Sequence, residues 1–143
     1  MNHQTQASSV IALDIGAKRI GVAQASLPAL LPHPLQTLQN TDSILHDIVT
    51  LVQEQRAVGV VLGLPRGLEG QETAQTRTVE TFGHELEQHL SVPVYWQDEA
   101  VTSRQAKEEL QARGKPYAKG DIDALAATYI LEDFLHEHKD KLA

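Results

Sequence analysis

Val10 to Ile15 form an apolar run interrupted by one acid, Asp14, and a second run, Ile20 to Ala25, follows the turn-like Gly16–Arg19. Two apolar runs across so short a polar break predict a β-hairpin. Pro28, Pro32 and Pro34 confine Leu30–Leu38 to a short third strand or edge segment, because proline has no amide to donate to an interior ladder. From Thr41 the period changes. Ile44, Leu45, Ile48, Val49, Leu51 and Val52 recur at helical spacing, which predicts a helix of about 15 residues with Thr41 or Asp42 as its cap. Val58 to Leu64 is then a continuous, β-branched apolar run ended by Pro65 and Gly67, the pattern of a strand covered on both faces.

Val79, Phe82, Leu86 and Leu90 form the stripe of a second amphipathic helix, and Pro93 to Gln97 reads as a further short strand ending at Asp98 and Glu99. Thr102 and Gln105 have capping-box spacing and open a helix through Ala106 and Leu110 that stops near Gly114. A loop over 115–120 leads to a last helix beginning near Asp121, with Ile122, Leu125, Ala126, Tyr129, Ile130 and Phe134 on its buried side. The order βββαβαβα, with one further helix inserted before the end, predicts an α/β protein in which helices cover both faces of a mixed sheet. The expected organisation is a loose polar tail at 1–8, a single domain at 9–138 and a short tail at 139–143.

Composition narrows the chemistry. The chain has 143 residues, 41% hydrophobic and 22% charged, which suits one soluble domain. It has no cysteine, so disulfides, thiolate zinc sites, iron–sulfur clusters and cysteine nucleophiles are excluded together. No signal peptide opens the sequence, and no apolar run approaches the roughly 20 residues of a membrane span, so a cytoplasmic protein without a membrane partner is expected. The net charge of −7 argues against a general nucleic-acid coat, since such binding needs cations that displace counterions. An enzyme that meets phosphate through metal ions remains compatible with that charge.

Asp14 is the residue out of place. An unpaired carboxylate inside an apolar strand is costly, so it needs a partner. A salt bridge to Lys18 or Arg19 is one reading; a shared cation is the other. Asp98 and Glu99 end one strand, and Asp121 and Asp123 stand at the start of the last helix. If these ends converge, the repulsion is relieved most directly by a hard, oxygen-loving ion such as Mg²⁺ or Mn²⁺. Asp121 suits a role at the helix dipole. Asp123, between Ile122 and Leu125, is expected to aim inward. Gly16 gives a tight turn beside the carboxylate, and Lys18 and Arg19 offer charge to a phosphate. The same kind of turn occurs in actin-like ATPases and sugar kinases. Arg66, Arg77, Lys107, Arg113, Lys115 and Lys119 form a candidate track for a phosphate backbone. Tyr95 and Trp96 are expected in the core or on the sheet, and His136 and His138, two apart on a helix, in a solvated end.

The segments DIGAKRIGVA at 14–23, VVLGLPRGLEGQE at 60–72, DEAVTS at 98–103 and DIDALAATYILEDFL at 121–135 together resemble the YqgF/RuvX family of Holliday-junction-resolvase-like proteins. The resemblance spans nearly the whole chain. It implies a ribonuclease H-like fold with a mixed five-stranded sheet, and a nuclease of the kind implicated in maturing the 5′ end of precursor 16S ribosomal RNA. Matched by position, the family's acids fall on Asp14, on Glu99 with Asp98 beside it, and on Asp123. Its glycine turn falls on Gly16 and Gly21, and its basic pair on Lys18 and Arg19. Gly63, Leu64 and Pro65 match a second strand-to-loop signature. The resemblance thus implies metal-assisted phosphodiester hydrolysis, with Asp14, Glu99, Asp123 and Asp98 around Mg²⁺ or Mn²⁺, and Gly16, Lys18, Arg19, Arg66 and Arg104 against phosphates. The expected partner is a structured RNA, with DNA junctions as the alternative substrate of a resolvase; a noncatalytic nucleic-acid or protein-binding module is a further alternative. Three positions depart from the pattern: Ala17 for threonine, Glu69 for aspartate, and, most seriously, Ala100 for an arginine that could brace a carboxylate or clamp a phosphate, with Arg104 one helix turn further on.

Overall fold

A computed structural model describes residues 7–99, 108–109, 111–114 and 119–142. Strands β1 (Ser9–Ile15) and β2 (Arg19–Ser26) pair as the expected antiparallel hairpin, with Asp14 opposite Gly21. β3 (His33–Gln39) adds to β2 as an edge strand. Its ladder is irregular between Val22 and Ala23, where Pro34 takes a place in the register without an amide to donate.

Helix α1 (Ile44–Glu54) carries the chain across to β4 (Ala57–Pro65), which lies parallel to β1. α2 (Ala74–Glu87) carries it on to β5 (Val94–Glu99), parallel to β4, and α3 (Lys119–His138) closes the domain. The sheet has five strands in the order β3-β2-β1-β4-β5. Within the segment before α3, residues 108–109 and 111–112 are helical, and Gly114, at φ 68°, turns the chain out. The expected cap at Thr102 and Gln105 lies outside the described residues.

Pleat alternation sorts the core into two layers. Ile11, Leu13, Ile20, Val22, Val60 and Leu62 face Ile48, Leu51 and Val52 of α1 and Val79 and Leu86 of α2. On the other face Val10, Ala12, Ala23, Ala25 and Val61 meet Ala127, Ile130, Leu131 and Phe134 of α3. This second layer is built from small residues on the strand side, so α3 lies close on the sheet. Trp96 packs into the first layer and Tyr95 into the second, as expected for core aromatics.

Several boundaries differ from the pattern-based expectation. α1 has 11 residues. Its cap position is Ser43, which makes no side-chain cap bond, and the Ile44 amide donates instead to the Thr41 carbonyl at 3.0 Å. A backbone turn therefore does the work assigned to a Thr41 or Asp42 side chain. α2 has the capping box that α1 lacks: Thr73 and Thr76 cap each other reciprocally, and the Thr76 hydroxyl also donates to the Pro65 carbonyl. α3 begins at Lys119, one half-turn before Asp121. Beyond His138 the chain turns once as a 3₁₀ helix, Lys139–Leu142, and Leu142 packs against the second layer. Among the described residues no helix is long and apolar enough to cross a membrane.

Candidate active site

β1, β4 and β5 run parallel, so their C-terminal ends open on one edge of the sheet, where ligands of open α/β folds commonly bind. Asp14 is the penultimate residue of β1. It alternates with Val10 and Ala12, which places it on the face covered by α3. Its cross-strand neighbour, Gly21, has no side chain, and the backbone of Asp123 fills that space: a Cβ at position 21 would lie 1.9 Å from the Asp123 carbonyl oxygen. Gly21 therefore lies inside a strand and serves a helix contact, not the turn to which the motif assigned it. It admits the first turn of α3 to the end of β1.

The consequence is electrostatic. Burial, reinforced by the Asp123 carboxylate, pushes the Asp14 carboxyl up from 3.8 to about 6. The expected salt bridge from the hairpin turn does form, but with the other acid. Arg19 Nε contacts Asp123 Oδ2 at 2.6 Å, with 30% of the Arg19 side chain and 20% of the Asp123 side chain exposed. Among the described residues no cation pairs with Asp14. Two facing carboxylates, both partly buried, form a hard oxygen donor set of the kind that holds Mg²⁺ or Mn²⁺.

Two side chains that sequence reasoning did not single out hold this corner in place. Asn40, just past β3, donates from Nδ2 to the Gly16 carbonyl at 2.8 Å and from its amide to the Lys18 carbonyl at 2.9 Å. The Gly16 amide closes the same turn on the Arg19 carbonyl at 3.0 Å. Thr37 donates its hydroxyl to the Gly120 carbonyl at 2.7 Å. The edge strand thus grips both the turn that carries Arg19 and the helix start that carries Asp123. Lys18 projects from the turn and is exposed. In the sequence Thr37 and Asn40 are two ordinary polar residues, one within and one just past the third strand segment.

The two acids ending β5 part company. Tyr95 faces α3 and Trp96 the opposite layer, so alternation sends Glu99 to the Asp14 face and Asp98 away from it. On that far side Arg66 Nε lies 3.2 Å from Asp98 Oδ1, and its Nη1 lies 3.7 Å from Glu72. The Arg66 amide also donates to the Glu99 carbonyl at 2.9 Å. A cleft of about 220 Å³ separates this loop from the strand end, lined by Arg66, Gly67, Leu68, Gly70, Asp98 and Glu99. The structure thus brings Asp14 and Asp123 together, sets Glu99 on their face two strands away, and leaves Asp98 with Arg66. Among the described residues no three acidic or histidine side chains form a metal-sized group. Asp121 is exposed on the first turn of α3. Arg113 is engaged by Glu109 at 2.5 Å, and Arg77 is exposed on α2. Ala100, Arg104, Lys107 and Lys115 lie outside the described residues.

Comparison with known proteins agrees with this architecture. Residues 8–137 match the family described as RuvX: Holliday junction resolvase. A protein of Thiobacillus denitrificans named "Putative pre-16S rRNA nuclease" is 39% identical over 88% of this chain and 90% of its own length. Proteins of the same name from Actinobacillus succinogenes and Rickettsia canadensis are 36% and 32% identical, each over 92% of this chain and over 97% and 88% of their own lengths. Among solved structures, Thermus thermophilus RuvC superposes with a TM-score of 0.56 at 18% identity, covering 92% of this chain and 96% of that one. That likeness establishes the ribonuclease H-like, RuvC-type fold expected from the four motifs. With the fold, the family match and the relatives in agreement, the chain belongs to the RuvX family.

Proposed function

We propose that this protein is a divalent-metal-dependent nuclease that hydrolyses a phosphodiester bond of RNA, with precursor 16S ribosomal RNA as its substrate and 5′-end maturation in the cytoplasm as its task. The observation that carries the reading is the convergence of Asp14 and Asp123 at the open edge of the sheet, with the Asp14 carboxyl pushed up to about 6. The relatives' name supports the choice of RNA.

In this reading Asp14 and Asp123 hold the metal, and Glu99 approaches from the end of β5 on the same face. When bound, a divalent ion supplies Lewis-acid activation of water and stabilises charge on the leaving oxygen. Asp14 contributes a carboxylate kept from bulk water by α3, where its charge is felt most strongly. Lys18, exposed on the turn that Asn40 clamps, binds an adjacent phosphate. No histidine stands near Asp14 in the matched motifs, so no side-chain base is assigned. Asp98 and Arg66 brace the β4–α2 loop against β5.

Cleavage of defined precursor ribosomal RNA and of a four-way DNA junction, side by side, with Mg²⁺ or Mn²⁺ and with an Asp14→Asn control, tests the proposal. Metal-dependent cutting of the RNA by wild type alone is the expected result. A second reading, a DNA junction resolvase, rests on the description of the matching family; cutting confined to the junction would favour it.

A further inference from the structure

Arg19 does something in this structure that its place in a phosphate-binding turn does not require. Its guanidinium is spent on Asp123, at 2.6 Å, rather than held out to solvent like Lys18. The pair spans 104 positions of sequence, and it is held from both sides: the turn bearing Arg19 is fastened by Asn40, and the helix start bearing Asp123 by Thr37. A casual surface ion pair has no such scaffold.

The charge count gives the arrangement a purpose. Gly21, the cross-strand partner of Asp14, admits the backbone of Asp123, so two carboxylates share one corner and like charges there repel. One fixed positive charge in the corner lessens that repulsion. A divalent ion between the same carboxylates would do so more strongly, but it would sit beside the guanidinium, and the two cations repel.

We infer that Arg19 is a resident counter-ion of Asp123 that competes with the divalent cation for this carboxylate, so that metal binding requires the guanidinium to give way. This rests on the metal site of the proposed nuclease. It sets metal affinity below what the carboxylates alone would give, and it ties metal entry to release of a cation suited to a phosphate.

The test is calorimetric titration of the purified, nucleic-acid-free protein with Mn²⁺, in wild type, Arg19→Gln and Arg19→Lys, followed by thermal melts with and without the ion. Arg19→Gln is expected to bind Mn²⁺ about fivefold more tightly, the worth of one partly exposed ion pair. Without metal it should melt below wild type at pH 8, and it should gain more than wild type on adding Mn²⁺. Arg19→Lys keeps the charge and should bind Mn²⁺ as wild type does. Equal or weaker binding by Arg19→Gln, or a lysine variant that behaves like the glutamine one, overturns the inference. The underlying site fails separately: Mn²⁺ binding absent from wild type, or retained by an Asp14→Asn/Asp123→Asn double variant, removes the metal reading itself.

Discussion

Asp123 presses its carbonyl oxygen into the space that a side chain at Gly21 would occupy, 1.9 Å from where a Cβ would stand. Because Gly21 is the cross-strand partner of Asp14, one missing methyl group decides whether the two acids face each other. Gly21→Ala must push the start of α3 off the sheet. A loss of about 1–3 kcal/mol is expected from such overpacking, read as a lower urea midpoint, together with loss of nuclease activity in whatever folds. Unchanged stability would show that α3 does not need this contact.

Asp14→Asn should have opposite effects on function and stability. The Asp14 carboxyl has its folded value, about 6, above its ordinary 3.8, so the folded protein binds this proton more tightly than the unfolded chain. Stability from this group is fully present below about pH 4 and is lost as pH rises through about 6. At neutral pH the buried charge costs about 3 kcal/mol in metal-free protein, an order-of-magnitude figure. The asparagine variant escapes that cost. Urea unfolding in a chelator should show it more stable than wild type at pH 7.5 and equal to it at pH 4, while cleavage disappears. A variant no more stable at pH 7.5 would mean that Asp14 is not held as described.

Lys18→Ala should leave the melting temperature unchanged, since the side chain is exposed and only its backbone carbonyl is used, by Asn40. Binding to RNA should weaken alike for all sequences. The slope of log affinity against log salt should shrink by about one, as for one lost phosphate contact. Anisotropy titrations at several salt concentrations measure both, and an unchanged slope would take Lys18 off the phosphate path.

Thr73→Ala removes half of the reciprocal cap at the start of α2. A cost of about 1 kcal/mol is expected in urea unfolding. Thr76 keeps its bond to the Pro65 carbonyl, so the site should stay in place and activity persist. Activity lost with stability intact would tie this cap to the β4 loop.

Much of the architecture could be read from periodicity, because strands buried on both faces leave strong marks: β1, β2 and β4 follow their apolar positions, whereas of the stripe expected on α3 Ile130 and Phe134 meet the sheet and Ile122, Leu125, Ala126 and Tyr129 form a separate cluster. Asp14 could be read too, as an acid where only apolar residues belonged. What escaped depends on geometry that periodicity does not encode. Arg19 stands near Asp14 in sequence, yet packing hands it to Asp123. Asp98 and Glu99 part by simple strand alternation, but only the packing of β5, with Tyr95 toward α3 and Trp96 away from it, shows which of them shares the face of Asp14. The cap of α1 is a backbone turn, invisible in side-chain identities, while the Thr73–Thr76 pair lacks the usual glutamate or glutamine of a capping box. Asn40 and Thr37 became important only once β3, which contains Thr37 and ends just before Asn40, was seen to lie at the edge of the sheet beside α3.

The pairing of Arg19 with Asp123 joins the first hairpin to a helix made more than a hundred residues later. A chain emerging during translation can complete its first three strands and still lack half of its active corner. In the proposed nuclease the metal-binding corner is therefore complete only once α3 has been made.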